Sequence, residues 1–172
     1  MNIEPYKDFI KNNIDLIDDD NWEEFFKLAP IGIGNILYNA NIDFMTHLMF
    51  IPEDAFAHST DLAHITIPNG VTSIKSRAFN YCLSLKDIII PDSIVYIGED
   101  AFASCKSLVS ITIPEDIITI ASNAFHFCSN LSDIHFNGTI ERWSQVNLHR
   151  YAFKEVPAKT ITCKNGVTKL RH

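Results

Sequence analysis

The chain has no apolar run approaching the roughly 18 residues that a membrane-crossing helix requires. Its opening stretch, MNIEPYKDFIKNN, carries acidic residues and no apolar centre. That is not the form of a secretory leader, so a cytoplasmic location is expected. There is no glycine-rich phosphate loop and no G-x-S-x-G elbow. The four cysteines and seven histidines include no C-x-x-C and no H-x3-H pair, the close spacings by which metal sites announce themselves. No metal, cofactor or catalytic constellation is called for, and the chain reads as a non-enzyme. Disorder is excluded as well, because 47% of residues are hydrophobic and only 20% charged.

What is present is a repeat of 23 residues, written three times from Leu62 and then begun again. Leu62, Leu85, Leu108 and Leu131 open it. Ile65, Ile88, Ile111 and Ile134 follow, then Ile67, Ile90, Ile113 and Phe136. Pro68, Pro91 and Pro114 come next, and after them Ile74, Ile97 and Ile120. The pairs Ala78-Phe79, Ala101-Phe102 and Ala124-Phe125 lead into Cys82, Cys105 and Cys128. A half unit precedes these, with Ile51, Ala55-Phe56 and Ser59 at the equivalent positions.

Each unit has a physical reading. Leu-x-x-Ile-x-Ile alternates over its last three positions and is rich in β-branched residues, which predicts a short strand. Proline stops that strand because it has no N–H to extend a ladder. One unit cannot bury its own apolar face, so the coils must stack, at about 4.8 Å per step. The Phe56, Phe79, Phe102 and Phe125 column is then expected to form an offset-stacked spine. The cysteine column stacks too, with parallel Cβ directions that point past one another, so buried thiols are expected rather than disulfides.

The strings LAHITIPNGVTSIKSRAFNYC, LKDIIIPDSIVYIGEDAFASC and LVSITIPEDIITIASNAFHFC resemble the BspA-like leucine-rich repeat. The resemblance implies a short leucine-rich-repeat solenoid, and family members are mostly protein- or surface-binding modules. They occur in bacterial surface proteins and in phage and mobile-element genomes. Taken with the missing leader, that occurrence suggests an intracellular phage- or bacterium-encoded accessory factor that binds and inhibits a host defence protein. A surface-adhesion module is an alternative. The expected fold is α+β: a helical N-terminal cap over residues 1–50, the solenoid over 51–137, and a degenerate coil with a basic C-terminal cap over 138–172.

In the cap, Tyr6, Phe9, Ile10, Ile14 and Ile17 predict a helix over 5–18. A second helix starts from Asp20 with Glu23, or Asn21 with Glu24, and Pro30 ends it. A third covers Ile33 to Ala40, and a short fourth follows Asp43. Beyond Phe136 the 23-residue register puts Ile140 on the Val71 column, Trp143 on the Ile74 column, Leu148 on the Phe79 column and Tyr151 on the Cys82 column. A short helix is expected around Glu141–Val146. The run KTITCKNGVTKL predicts a closing hairpin around Asn165-Gly166.

Function is left to the positions the repeat does not dictate. Thr66, Ile89, Thr112 and His135 should form one row across the strands, and His64, Asp87, Ser110 and Asp133 another. These eight are the candidate face for a protein partner. Charge adds a second reading. Residues 138–172 carry seven bases against two acids, while the rest of the chain is acidic. Self-association of an acidic body with a basic end is therefore the alternative, and nucleic-acid binding is disfavoured by the acidic body.

Overall fold

The computed structural model describes residues 4–18, 21–39 and 45–171. The N-terminal segment opens with helices α1 (Glu4–Asn12) and α2 (Ile14–Asp18), broken at Asn13, where one helix had been expected. Asn13 explains the break: its side-chain amide donates to the Phe9 carbonyl oxygen at 2.8 Å, and its own carbonyl accepts from Leu16. Helix α3 (Trp22–Leu28) is capped by Asn21, whose side chain accepts from the Glu24 N–H. Asp19 and Asp20, with the alternative cap, lie outside the described residues. Helix α4 spans Ile33–Asn39, its expected end at Ala40 lying outside them too, and Met45–His47 makes a 3-10 turn. None of the described helices is long and apolar enough to cross a membrane.

Beyond the helices the chain is a solenoid in which each coil gives two short strands. One set comes from the Leu-x-x-Ile-x-Ile runs: β2 (His64–Thr66), β4 (Asp87–Ile89), β6 (Ser110–Ile113), β8 (Asp133–Phe136) and β10 (Thr160–Cys163). They pair in parallel as β2–β4 and β6–β8–β10. The other set is a five-stranded parallel sheet: β1 (Phe50–Ile51), β3 (Ser73–Ile74), β5 (Tyr96–Ile97), β7 (Thr119–Ile120) and β9 (Asn147–Leu148). That second sheet was not expected as strand, because two residues show no alternation to read.

A buried aromatic spine runs through the coils. Phe56, Phe79, Phe102 and Phe125 stack at 5.0, 5.2 and 5.2 Å, with rings at most 12° apart. The spine continues to Phe153 at 5.0 Å. Tyr38 covers its first ring edge-on at 6.5 Å, and Trp143 covers its last at 6.4 Å. Both open ends are thus shielded by an aromatic from outside the repeat.

Phe153 corrects the expected register of the last coil. Leu148 pairs with Ile120, so it sits on the Ile74 column rather than the Phe79 column. Ala152-Phe153 is the Ala-Phe pair, its Ala152 carbonyl accepting from the Phe125 N–H at 2.8 Å. Trp143 and Tyr151 leave their assigned columns for the same reason. Helix α5 (Ile140–Ser144), capped by Thr139, enlarges the coil, so the step from Phe125 to Phe153 is 28 residues. The expected hairpin forms, but its turn is Lys164-Asn165 rather than Asn165-Gly166: Gly166 pairs with Cys163 as the first residue of β11 (Gly166–Lys169), which runs antiparallel to β10.

Backbone approach explains the glycines that matter. The Gly32 and Gly34 N–H groups donate to the Asp54 and Ala55 carbonyl oxygens at 3.0 and 2.8 Å, sealing the first coil against the cap. A Cβ on either would stand 2.7 Å from a carbonyl oxygen.

Candidate interaction surface

The strand set around β2 to β10 alternates outward and inward, as a half-buried sheet should. In β2, His64 and Thr66 are exposed and Ile65 is buried; β6, β8 and β10 repeat the pattern. All eight candidate residues are therefore exposed, and they align in two halves, since β2–β4 and β6–β8 are separate ladders with no β4–β6 strand pairing among the described residues. His64 lies opposite Asp87 and Thr66 opposite Ile89, while Ser110 lies opposite Asp133 and Thr112 opposite His135. His64 Nδ1 is 2.9 Å from Asp87 Oδ2, in a pair two-thirds exposed on both sides. Ile89 stands out at 62% exposure amid polar neighbours.

The face extends further than the sequence reading took it. Thr162 is opposite His135, and Val167 is opposite Thr162. The signal was the alternation in Thr-Ile-Thr-Cys, which matches that of the repeat strands. Val167 is 59% exposed, a second apolar spot in the same row.

Two other surfaces compete. A cleft of about 670 Å³ opens between the helices and the second sheet, lined among others by Phe26, Ile31, Phe50, Lys75 and Tyr96. The Lys75 ammonium sits 4.9 Å above the Phe50 ring. The basic end is partly consumed internally. Arg142 donates to the Ile117 carbonyl at 2.6 Å, Arg171 donates to the Trp143 and Val146 carbonyls at 2.7 and 3.1 Å, and Lys164 pairs with Glu115 at 2.7 Å. Arg142 and Arg171 thus satisfy backbone carbonyls, while Lys164 is neutralised by a carboxylate.

The cysteines are structural. Cys82, Cys105 and Cys128 are fully buried, and each thiol donates to the carbonyl oxygen of Phe56, Phe79 or Phe102 at 3.1 to 3.2 Å. Burial, then the neighbouring thiols of Cys128 and Cys82, pushes the Cys105 thiol well above its ordinary range. It is the inert form of the group. Asp100 is also raised, by burial first and Glu99 second. Among the described residues no group of three or more His, Cys, Asp or Glu is placed to hold a metal ion.

Residues 49–172 match the family model for the BspA type leucine rich repeat region, in six copies. The chain belongs to this family. The match reaches past residue 137, taking in the enlarged coil and the hairpin of this BspA-type chain. No curated protein matches it. Among solved structures, a leucine rich cell surface protein from Faecalibacterium prausnitzii A2-165 is similar at 25% identity and a TM-score of 0.40, over 50% of this chain. A leucine-rich repeat protein from Bacteroides ovatus ATCC 8483 is similar at 24% identity and a TM-score of 0.40, over 66% of this chain. The matches span 35% and 41% of those two chains.

Proposed function

We propose that this leucine-rich-repeat protein is a non-enzymatic protein-binding module, and that its partner docks on the strand face made by His64, Thr66, Asp87, Ile89, Ser110, Thr112, Asp133 and His135. The observation that carries the reading is the alignment of these exposed, repeat-independent side chains on two parallel ladders, β2–β4 and β6–β8, whose inner residues are fixed by packing. A rigid array of this kind binds with little ordering cost. Ile89 supplies the apolar contact, and Asp87 with His135 supplies polar complementarity around it.

The finer reading is an accessory factor of a phage or mobile element that acts in the cytoplasm by blocking a host defence protein; a surface-adhesion module is the alternative. Affinity capture from the native host, with wild type and the Asp87→Ala, Ile89→Ala, His135→Ala triple variant side by side, tests the face and identifies the partner. Loss of a specific partner in the triple variant supports the assignment, and undiminished capture refutes it. Self-association through the basic end has less to work with, since Arg142, Lys164 and Arg171 are engaged within the chain.

A further inference from the structure

The two ends of the solenoid are finished differently. At the N-terminal end the glycines of the α3–α4 connection and of α4 take up carbonyls of the first coil. At the C-terminal end the last strand, β11, has a neighbour on one side only, in the order β11-β10-β8-β6.

The phase of the hairpin shows which groups are left over. The Leu170 N–H donates to the Lys159 carbonyl at 2.9 Å, so Lys159 and Leu170 form a hydrogen-bonded pair. Bonded and non-bonded pairs alternate along an antiparallel ladder. Ile161 with Thr168 and Cys163 with Gly166 are therefore bonded, while Thr160 with Lys169 and Thr162 with Val167 are not. The N–H and C=O groups of Val167 and Lys169 point away from β10. Among the described residues they have no other partner. Val167 and Lys169 are both exposed.

We infer that the outer edge of β11 is a second docking site, which takes an extended acidic segment of a partner protein as an added strand. An open edge with two outward N–H groups and two outward C=O groups is a template for strand addition. Charge selects the occupant. Lys159 and Lys169 are exposed and form no ion pair among the described residues, and Arg171 lies just beyond. Two acids lie beside the turn and both are engaged there: Glu141 accepts from the Asn165 amide at 3.1 Å, and Glu115 pairs with Lys164 at 2.7 Å. A second copy would bring a like-charged strand onto this edge, which opposes self-pairing.

The test uses the full chain and a fluorescein-labelled peptide of alternating glutamate and valine, with the lysine–valine peptide as control. The acidic peptide should bind saturably and more weakly as salt rises, and the basic one should not bind. Val167→Pro removes one outward N–H at an edge position that tolerates proline, and should weaken binding by about tenfold or more. A backbone N-methylated acidic peptide should lose binding with the protein unaltered, which covers the case that the proline variant folds poorly. Equal binding of both peptides, or full binding of the N-methylated one, overturns the inference. So does a dimer in light scattering that Val167→Pro abolishes, since the edge would then belong to a second copy.

Discussion

Phe153 stacks on Phe125 at 5.0 Å with the two rings 3° from parallel, a step of 28 residues where each earlier step of the spine is 23. The ladder thus keeps its spacing by letting the loop, not the ring column, absorb the extra length. Truncation distinguishes this register from the one the 23-residue count implies. Phe153→Ala should cost about 3–5 kcal/mol. Leu148→Ala, at a partly buried second-sheet position, should cost about 1–2 kcal/mol. Urea unfolding of the two variants measures the order, which would be reversed if Leu148 were the spine residue.

That pair also marks the limit of what the residues disclose. The regular coils were legible because identical side chains recur at a fixed interval, so Phe79, Cys82 and Ile65 identify their own columns. The last coil was not, because α5 shifts the frame and Leu148 happens to fall where the count places a phenylalanine. The hairpin was legible from the two β-compatible runs around Asn165-Gly166, though its turn lies one residue earlier, at Lys164-Asn165, with Gly166 paired to Cys163. The candidate rows were legible as geometry, since alternation alone puts His64 and Thr66 outward. Their extension to Thr162 and Val167 was not, because it depends on β10 stacking in register on β8. The left-handed positions were invisible too. Asp54, Arg77, Asp100, Asn123 and Tyr151 all have φ between 53° and 64°, as do His58, Tyr81, Ser104, Phe127 and Glu155, and no glycine signals either column.

Those ten residues store conformational energy. Glu155, at φ 60° and exposed, makes ion-pair contacts among the described residues at no less than 3.8 Å, with His126 and Lys154. Glu155→Gly should leave stability unchanged or raise it by up to about 1 kcal/mol, and Glu155→Val should lower it by about 1 kcal/mol or more. Thermal unfolding of the two variants checks the sign.

Close backbone approach gives the opposite result at another glycine. A Cβ on Gly98 would lie 2.6 Å from the backbone of Lys75 and Ser76, with no flexible side chain to yield. Gly98→Ala should therefore destabilise by about 2 kcal/mol or more. Gly70→Ala meets nothing within 4 Å and suffers only from its φ of +100°, so about 1 kcal/mol is expected there. Chemical denaturation of both variants measures the difference.

The buried Cys105 thiol makes stability fall in alkali. The Cys105 thiol is raised well above 9.0 in the folded chain, while the unfolded thiol ionises near its ordinary value. Above that value the native state holds a proton that the unfolded state has lost, so unfolding is favoured as pH rises. Stability should be flat with respect to this group below about pH 8 and decline between the ordinary thiol value and the raised one. Cys105→Ala should flatten that decline. Thiol labelling at pH 8 should be slow for Cys105 until denaturant is added.

Hydrogen exchange on the captured complex locates the partner on the molecule. Partner binding should add protection over His64–Thr66, Asp87–Ile89, Ser110–Ile113 and Asp133–Phe136. The Asp87→Ala, Ile89→Ala, His135→Ala variant should unfold within about 0.5 kcal/mol of wild type, as exposed substitutions do, yet show no such protection. Protection confined to the cleft around Phe26, Phe50 and Tyr96, with the strand residues exchanging as in the free protein, would contradict docking on the strand face.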